Sequence, residues 1–334
     1  MNERRTAFAA RLRGVVPVRF DEPLAKHTTF RIGGPADAYV QARTLPQLIA
    51  AVRAAWEEDL PVLVIGGGSN LLVLDGGVRG VVIESRARQV MGEPSGSRPP
   101  RQRSLEEALA LANEQPAAET LELTVEAGMP LAALARRTAL AGWAGLEWAV
   151  DIPGTVGGAV VNNAGAHGGE MASSMTAALL LHPASDVPVW RPAAELGLTY
   201  RASLLKEAAP SCPRPVVLAA KFALRRGDPL TLRAAVAQYS QYRRRTQPVG
   251  AGAGSIFKNP PEAAAGWLIE RANLKGAQVG AVRVSDLHGN FMLNLGGATA
   301  ADVLALVDLV RERVFAQWGV FLELEIQIVG EAER

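Results

Sequence analysis

The chain has 334 residues, 49% of them hydrophobic, enough for a buried core and for two or three domains of roughly 100–200 residues each. Its 35 Lys and Arg nearly balance 33 Asp and Glu, and a net charge of +2 excludes the global basic field of a general nucleic-acid binder. Cys212 is the single cysteine, which excludes an intrachain disulfide and a cysteine metal cluster, and its Pro-Ser-Cys-Pro setting offers nothing to activate a thiol.

No stretch approaches the roughly 18 uninterrupted apolar residues of a membrane span. Arg11 and Arg13 break up the apolar residues near the start, so no secretory leader is expected and the cytoplasm is the expected compartment. Asp37–Val40 and Val62–Ile65 read as strands around a helix at Pro46–Glu58, whose apolar face carries Leu48, Ile49, Val52 and Trp56. Val78–Ile83 is a further β-branched run. Glu93–Arg103 has no apolar residue and three prolines, and reads as a flexible surface insertion. A short helix is expected over Ser104–Asn113, with Ser104 and Glu107 as a capping box. A strand over Leu121–Ala127 follows, then a helix over Pro130–Leu140 stopped at Gly142. Ala149–Gly169 holds six glycines and almost no charge. It is too apolar for a solvated loop and too glycine-rich for a helix, so buried backbone wrapped around a ligand is expected there. Leu179–Leu181 and Val216–Leu224 read as strands, Leu232–Arg245 as a helix and Gly266–Ala272 as a short helix. A strong helix over Thr299–Trp318 is capped by Thr299 with Asp302 and ended by Gly319. In the final strand, Val320–Val329, alternation puts Val320, Leu322, Leu324, Ile326 and Ile328 on one face and Glu323, Glu325 and Gln327 on the other. Domain boundaries fall near 85 and near 226–230.

Five segments carry candidate chemistry. Gly66-Gly67-Gly68-Ser69-Asn70-Leu71 follows an apolar strand, where glycines let backbone N–H groups approach a pyrophosphate; a plain tight turn is the alternative. Leu71 occupies the third glycine position of a dinucleotide fingerprint, so a Rossmann match is poor, and no Gly-Lys-Ser/Thr triplet supports a nucleoside-triphosphate loop. A second cradle lies at Asp151-Ile152-Pro153-Gly154-Thr155-Val156-Gly157-Gly158-Ala159 with Asn162, Asn163, Gly165 and Ala166. Two separated cradles favour a large dinucleotide such as FAD. Ser255-Ile256-Phe257-Lys258 and Ser203-Leu204-Leu205-Lys206 have the Ser-x-x-Lys spacing of serine hydrolases, but Asn259-Pro260-Pro261 forbids the helix that would align the first pair. Ser255 is a proton-donor candidate or a turn serine. Glu325 and Glu323 point the same way, and spacing does not choose between them. Arg243, Arg244 and Arg245 either complement a helix dipole or clamp a diphosphate. His27, His167, His182 and His288 show no metal-ligand spacing, so no metal site is expected.

Taken in order, eight segments resemble the UDP-N-acetylenolpyruvoylglucosamine reductase family. They are Thr29–Asp37, Gly66–Leu71, Asp151–Glu170, Tyr200-Arg201-Ala202-Ser203, Gln247-Pro248, Gly252–Pro260, Val284–Phe291 and Leu322–Glu325. The resemblance spans about residues 20 to 330. It implies an α+β fold of the PCMH/vanillyl-oxidase FAD-binding type, with two α+β subdomains, 1–85 and 86–228, the latter carrying the 93–103 insertion. A C-terminal α+β substrate-binding domain, 229–334, follows. It implies a flavoprotein reductase of peptidoglycan precursor synthesis that uses non-covalent FAD and NADPH to reduce UDP-N-acetylglucosamine enolpyruvate to UDP-N-acetylmuramate.

By the same resemblance Ser255 is the proton donor, Glu325 rather than Glu323 assists, and Arg201 is the third catalytic group. Arg31, Gly66, Gly67, Gly68, Ser69, Asn70, Leu71, Pro153, Gly154, Thr155, Gly157, Gly158, Asn162, Gly165 and Ala166 would hold the flavin. Arg243, Arg244, Gln247 and Asn259 would contact the UDP-sugar. The short interval between Tyr200 and Ser255 indicates the loop-lacking form of the family. A monomer without nucleic-acid or membrane partners is expected. Leu204-Leu205 departs from the family pattern, where an aromatic follows Tyr-Arg-x-Ser, and Ser85–Leu121 is longer than the pattern. The rival readings are another FAD oxidoreductase of the same fold and a non-catalytic UDP-sugar-binding regulator; flavin absorbance and substrate-dependent NADPH oxidation separate the three.

Overall fold

The computed structural model describes residues 2–94, 106, 109–110, 119–185, 187–207 and 214–333. Nearly all of the expected 93–103 insertion, most of the helix expected over Ser104–Asn113 with both its capping residues, and Cys212 lie outside the described residues. Val18–Pro23, Pro35–Ala42, Val78–Ser85 and Val62–Ile65 form a four-stranded sheet in that order. Two compact units are built from discontinuous segments. One comprises Met1–Val18, Val40–Gly66 and Ile83–Tyr242; the other comprises Arg19–Tyr39, Gly67–Val82 and Arg243–Arg334.

The first unit centres on a six-stranded antiparallel sheet. Its path runs Val189–Pro192, Met175–Leu181, Val216–Arg226, Thr120–Glu126, Val90–Pro94, and Trp143–Ala144 pairs with the end of the central strand. The register sets Phe222 against Leu123 and Val125 against Val90. Leu121, Leu123, Val125, Phe222 and Leu224 are buried in one cluster with Leu131, Leu134 and Ala135 of the helix Leu131–Leu140. Each such side chain contributes roughly 1.5–3 kcal/mol of transfer free energy as an upper bound. That helix stops where expected, with Gly142 at φ +84°.

The helix Leu45–Glu57 begins as its sequence demands. The Thr44 hydroxyl accepts from the Gln47 N–H at 3.3 Å and Pro46 sits in the first turn. Its buried stripe is Leu48, Ala51, Val52 and Ala55, while Ile49 and Trp56 are only half-buried. The expected face is thereby rotated toward the alanines, which permit closer packing.

Ala149–Gly169 contains a helix that composition argued against, Val156–Asn162. The reason is packing. A Cβ on Gly157 would lie 2.8 Å from the Ala127 Cβ, so glycine here permits close approach to the segment that follows the strand Thr120–Glu126 rather than flexibility. Asn163 ends the helix in the left-handed region at φ +41°.

In the second unit, Leu71–Val73 pairs in parallel with Gln327–Val329, and Gln278–Val279, Val282–Val284 and Met292–Asn294 form an antiparallel sheet. The helix Ala300–Trp318 buries Val303, Leu306, Val307, Val310 and Val314. Thr299 and Asp302 make the expected capping box, and Gly319 closes the helix at φ +67°. Asp75 adds a second cap, accepting from the Ala300 and Ala301 N–H groups at 2.8 and 3.0 Å. The expected ten-residue final strand is shorter. Only Gln327–Val329 joins the parallel ladder, and Leu324 instead bridges Phe257. Burial follows Leu322 and Ile326, while Ile328 is 40% exposed although it pairs with Leu72 in the ladder.

Candidate active site

Within the first unit the glycine motifs meet. A Cβ on Gly66 would stand 2.1 Å from the Thr155 Oγ1, so any larger residue would collide there. Pro153 and Gly158 are exposed at this corner, Gly154 (φ +111°) accepts from the Leu131 N–H at 3.1 Å, and a Cβ on Gly158 would meet only the Thr155 Oγ1, at 3.9 Å. The cradle offers fewer donors than its sequence suggests: the Val156 and Gly157 N–H groups already donate to the Met129 and Ala127 carbonyls at 2.9 and 2.8 Å. Asn162 donates to the Gly158 carbonyl at 2.9 Å.

Beyond the helix the chain forms a small hairpin, Gly165–Ala166 paired with Gly169–Glu170. Asn163, fully buried, secures its base. The Asn163 amide nitrogen donates to the Glu170 carboxylate at 3.1 Å and the Thr199 carbonyl at 2.9 Å, and its oxygen accepts from the Ala172 N–H at 3.1 Å. Arg201 reaches the same hairpin, donating to the Gly165 carbonyl at 2.7 Å. It sits at φ +57° in a tight turn closed by reciprocal Thr199–Ala202 backbone bonds of 3.1 Å. Ser203 donates to the Val161 carbonyl at 2.6 Å and accepts from the Lys206 N–H at 3.2 Å. The Ser203–Lys206 pair is therefore a helix-capping turn.

In the second unit three motifs distant in sequence converge. The Thr29 N–H donates to the Gly68 carbonyl at 3.1 Å, and its hydroxyl donates to the Gly252 carbonyl at 2.7 Å. Asn294 donates to the Phe30 carbonyl at 3.0 Å. Gly68 is at φ +60°, and a Cβ there would lie 2.1 Å from the His27 carbonyl oxygen, so glycine is obligatory on both counts. Arg31, also left-handed at φ +57°, is exposed beside it. His27 is held between Glu22 (2.9 Å) and the Tyr39 hydroxyl (3.1 Å). The hydrogen bond from His27 holds the Glu22 carboxyl below its usual range, with Arg19 and Lys26 adding to the effect.

Ser255 follows Gly254, which turns at φ +76°. Its segment is laddered on two sides. Ser255 bridges Phe291 and Phe257 bridges Leu324. The Glu325 N–H donates to the Ile256 carbonyl and the Lys258 N–H to the Glu323 carbonyl, both at 2.8 Å. Asn290, 3% exposed, pairs with the Phe257 backbone in both directions, accepting from its N–H at 2.9 Å and donating to its carbonyl at 2.8 Å. Asn70 donates to the Glu325 carbonyl at 3.2 Å and accepts through its own carbonyl from the Gln327 N–H at 3.0 Å, and Leu71 opens the parallel strand.

Glu323 is exposed and pairs with Lys258 at 3.3 Å, and Glu325 is half-buried. Ser255 and Glu325 thus lie on adjacent backbones of one unit, and Arg201 belongs to the other unit. Arg243 is half-buried and Arg244 exposed in the last turn of the helix Pro229–Thr246. The Gln247 N–H donates to the Arg243 carbonyl at 2.8 Å. The Asn259 side chain accepts from the Ala265 N–H at 3.0 Å, a structural role the sequence did not suggest. Gly67 and Ser69 flank Gly68 in the same loop.

Asn290, Asn294 and Thr29 were not singled out as site residues. Asn163 was readable: asparagine next to glycines tolerates the left-handed region and bonds to backbone. Among the described residues no group of three or more His, Cys, Asp or Glu side chains gathers to hold a metal, and no helix is long and apolar enough to cross a membrane.

Comparison with known proteins bears on both units. A family model described as the C-terminal domain of UDP-N-acetylenolpyruvoylglucosamine reductase matches residues 247–329, and one described as an FAD binding domain matches residues 36–93 and 106–181. The UDP-N-acetylenolpyruvoylglucosamine reductase of Chloroflexus aggregans is 42% identical over 94% of this chain and 98% of its own length. That of Rubrobacter xylanophilus is 42% identical over 94% of this chain and 95% of its own. Among solved structures, the UDP-N-acetylenolpyruvylglucosamine reductase of Thermus caldophilus superposes with a TM-score of 0.71 at 34% identity, covering 94% of this chain and 99% of the other.

Proposed function

This chain belongs to the UDP-N-acetylenolpyruvoylglucosamine reductase family, and from that premise we propose that it reduces the enolpyruvyl group of UDP-N-acetylglucosamine enolpyruvate to the lactyl ether of UDP-N-acetylmuramate, a peptidoglycan precursor. Its α+β architecture, an FAD-binding part followed by a C-terminal domain, is the family's. We read 1–85 and 86–228 as the flavin-binding subdomains and 229–334 as the substrate domain of a cytoplasmic monomer.

The backbone at Gly66, Gly68, Gly158 and Gly165 fits a large cofactor held non-covalently. Thr155, His27 and Gly169 pack against Gly66, Gly68 and Gly165 too closely for any Cβ, which shapes the cradle, and Gly158 is exposed with room at its Cβ position, where main chain can approach a ligand. Arg31, Ser69, Asn70, Thr155 and Asn162 would supply polar contacts. Bound FAD supplies the hydride, drawn from NADPH, for the terminal carbon of the enolpyruvyl double bond.

The residues then have separate tasks. As that carbon gains hydride, negative charge grows on the substrate carboxylate, and Arg201 stabilises it by charge while Glu325, in its protonated form, donates a hydrogen bond. Ser255 donates its hydroxyl proton to the carbon beside the carboxylate. A hydroxyl is a weak acid, but an enolic carbon is a strong base, so the transfer is matched. Arg243 with Arg244 binds the diphosphate, and Gln247 and Asn259 contact the UDP-sugar.

The observation that best supports this reading is the ladder joining Ser255–Lys258 to Glu323–Glu325, which sets a hydroxyl-bearing and a carboxylate-bearing segment side by side. Anaerobic stopped flow tests it. NADPH should bleach the flavin band at about 450 nm, and UDP-N-acetylglucosamine enolpyruvate should restore it. Bleaching without substrate-driven reoxidation would rule out this substrate, and protein that takes up no FAD would rule out the flavoenzyme.

A further inference from the structure

His167 has no part in the reaction just described, yet both its backbone and its ring are constrained. It sits at the tip of the Gly165–Glu170 hairpin with φ +53°, a region that few non-glycine residues adopt, and Gly168 follows at φ +82°. Its ring lies flat on Tyr239, centroids 4.2 Å apart and planes 9° apart, and meets Tyr242 edge-on at 5.7 Å and 82°. Both tyrosines project from the helix Pro229–Thr246, one turn apart. The base of the hairpin is anchored independently by Asn163 and Arg201. A tip held in an uncommon backbone conformation by two aromatic contacts, on a base fixed by hydrogen bonds, is a rigid strut. Its far end rests on the residue immediately before Arg243.

We propose that His167 is a positioning residue for substrate binding: by stacking on Tyr239 and Tyr242 it holds the last turn of the helix Pro229–Thr246 so that Arg243 is presented to the substrate diphosphate. The inference rests on the function proposed above. The contact it relies on is the ring geometry, flat on Tyr239 and edge-on to Tyr242. Loss of the stack leaves Arg243 present but less often in place. Ground state and transition state then lose the same binding, so KM rises while kcat holds.

The test combines His167→Ala, His167→Phe and Arg243→Ala, assayed for KM, kcat and the rate of flavin reduction by NADPH. His167→Ala should raise KM about tenfold, with kcat and the NADPH half-reaction within about twofold of the parent. His167→Phe, which restores a flat ring without a titratable group, should return KM to within about threefold. In the Arg243→Ala background, His167→Ala should change KM by less than about twofold, because two residues acting through one contact are not additive. An unchanged KM, a phenylalanine no better than alanine, or additive effects with Arg243→Ala would each overturn the proposal. A parent protein that reduces no enolpyruvyl sugar would overturn the underlying function instead. A His167→Ala protein too unstable to assay leaves Tyr239→Leu with Tyr239→Phe as the equivalent pair, judged by the same KM split.

Discussion

Two buried asparagines hold the irregular backbone of the two units, and they do it differently. Asn163 bonds three separate partners, donating to Glu170 and Thr199 and accepting from Ala172, and so gathers a glycine-rich hairpin that has only two paired residues on each side. Asn290 spends its amide on one residue, taking the N–H and giving to the carbonyl of Phe257 as a neighbouring strand would. One is a hub for a loop; the other stands in for a missing stretch of ladder. Both answer the same requirement, that buried backbone polar groups find partners where regular structure stops. The difference locates rigidity. Around Ser255 one side-chain amide extends backbone pairing, and around Gly165 and Arg201 side chains reinforce a short backbone hairpin and turn.

The sharpest break in that comparison is chemical. Ser255→Ala should lower turnover of the enolpyruvyl sugar by about 10²–10⁴-fold while flavin reduction by NADPH stays within about twofold, measured as separate half-reactions. Equal loss in both would remove Ser255 from proton transfer.

Asn290→Ala leaves a buried N–H and carbonyl of Phe257 without partners and should cost about 2–4 kcal/mol in urea denaturation. Because Phe257 lies two residues from Ser255, kcat should fall with flavin content unchanged. Asn163 separates bonding from backbone strain. Asn163→Gly should cost about 1–3 kcal/mol for the lost bonds, and Asn163→Ala about 1 kcal/mol more, because alanine resists φ +41°. Equal destabilisation by the two would show that the left-handed turn carries no penalty.

The smallest effect is in pH. Burial raises the Glu126 carboxyl above its usual range, and the hydrogen bond from the Gln89 N–H opposes that only in part. The folded state then binds a proton more readily than the unfolded one. This group's contribution is therefore fully present below the ordinary glutamate pKa and is lost as pH rises through its raised value. Glu126→Gln keeps an acceptor for Gln89 and should flatten that part of the stability–pH curve, read as Tm across weakly acidic buffers. A slope identical to the parent's would exclude Glu126 as its source.

Much of the scaffold was legible from residue order alone. The strand Val62–Ile65, the Thr299 cap, the Gly142 and Gly319 stops and the helix Leu131–Leu140 follow from signals that act within a turn or two of the chain. The motifs around Gly66, Thr155, Arg201, Ser255 and Glu325 were equally visible, as residue types at fixed spacing. What the sequence could not determine was which of its parts touch. Gly157 reads as a helix breaker until Ala127 lies against it, and Glu323 and Glu325 are equivalent by spacing until folding leaves the first exposed and the second half-buried. Gly66 and Thr155 are two motifs until a Cβ between them has no room, and the ten-residue alternation at the C-terminus loses most of its ladder because its partner strand is three residues long. Propensity, capping and periodicity are properties of neighbours in the chain. Excluded volume, amide pairing and ion pairing join residues far apart in it, and only the tertiary structure decides them.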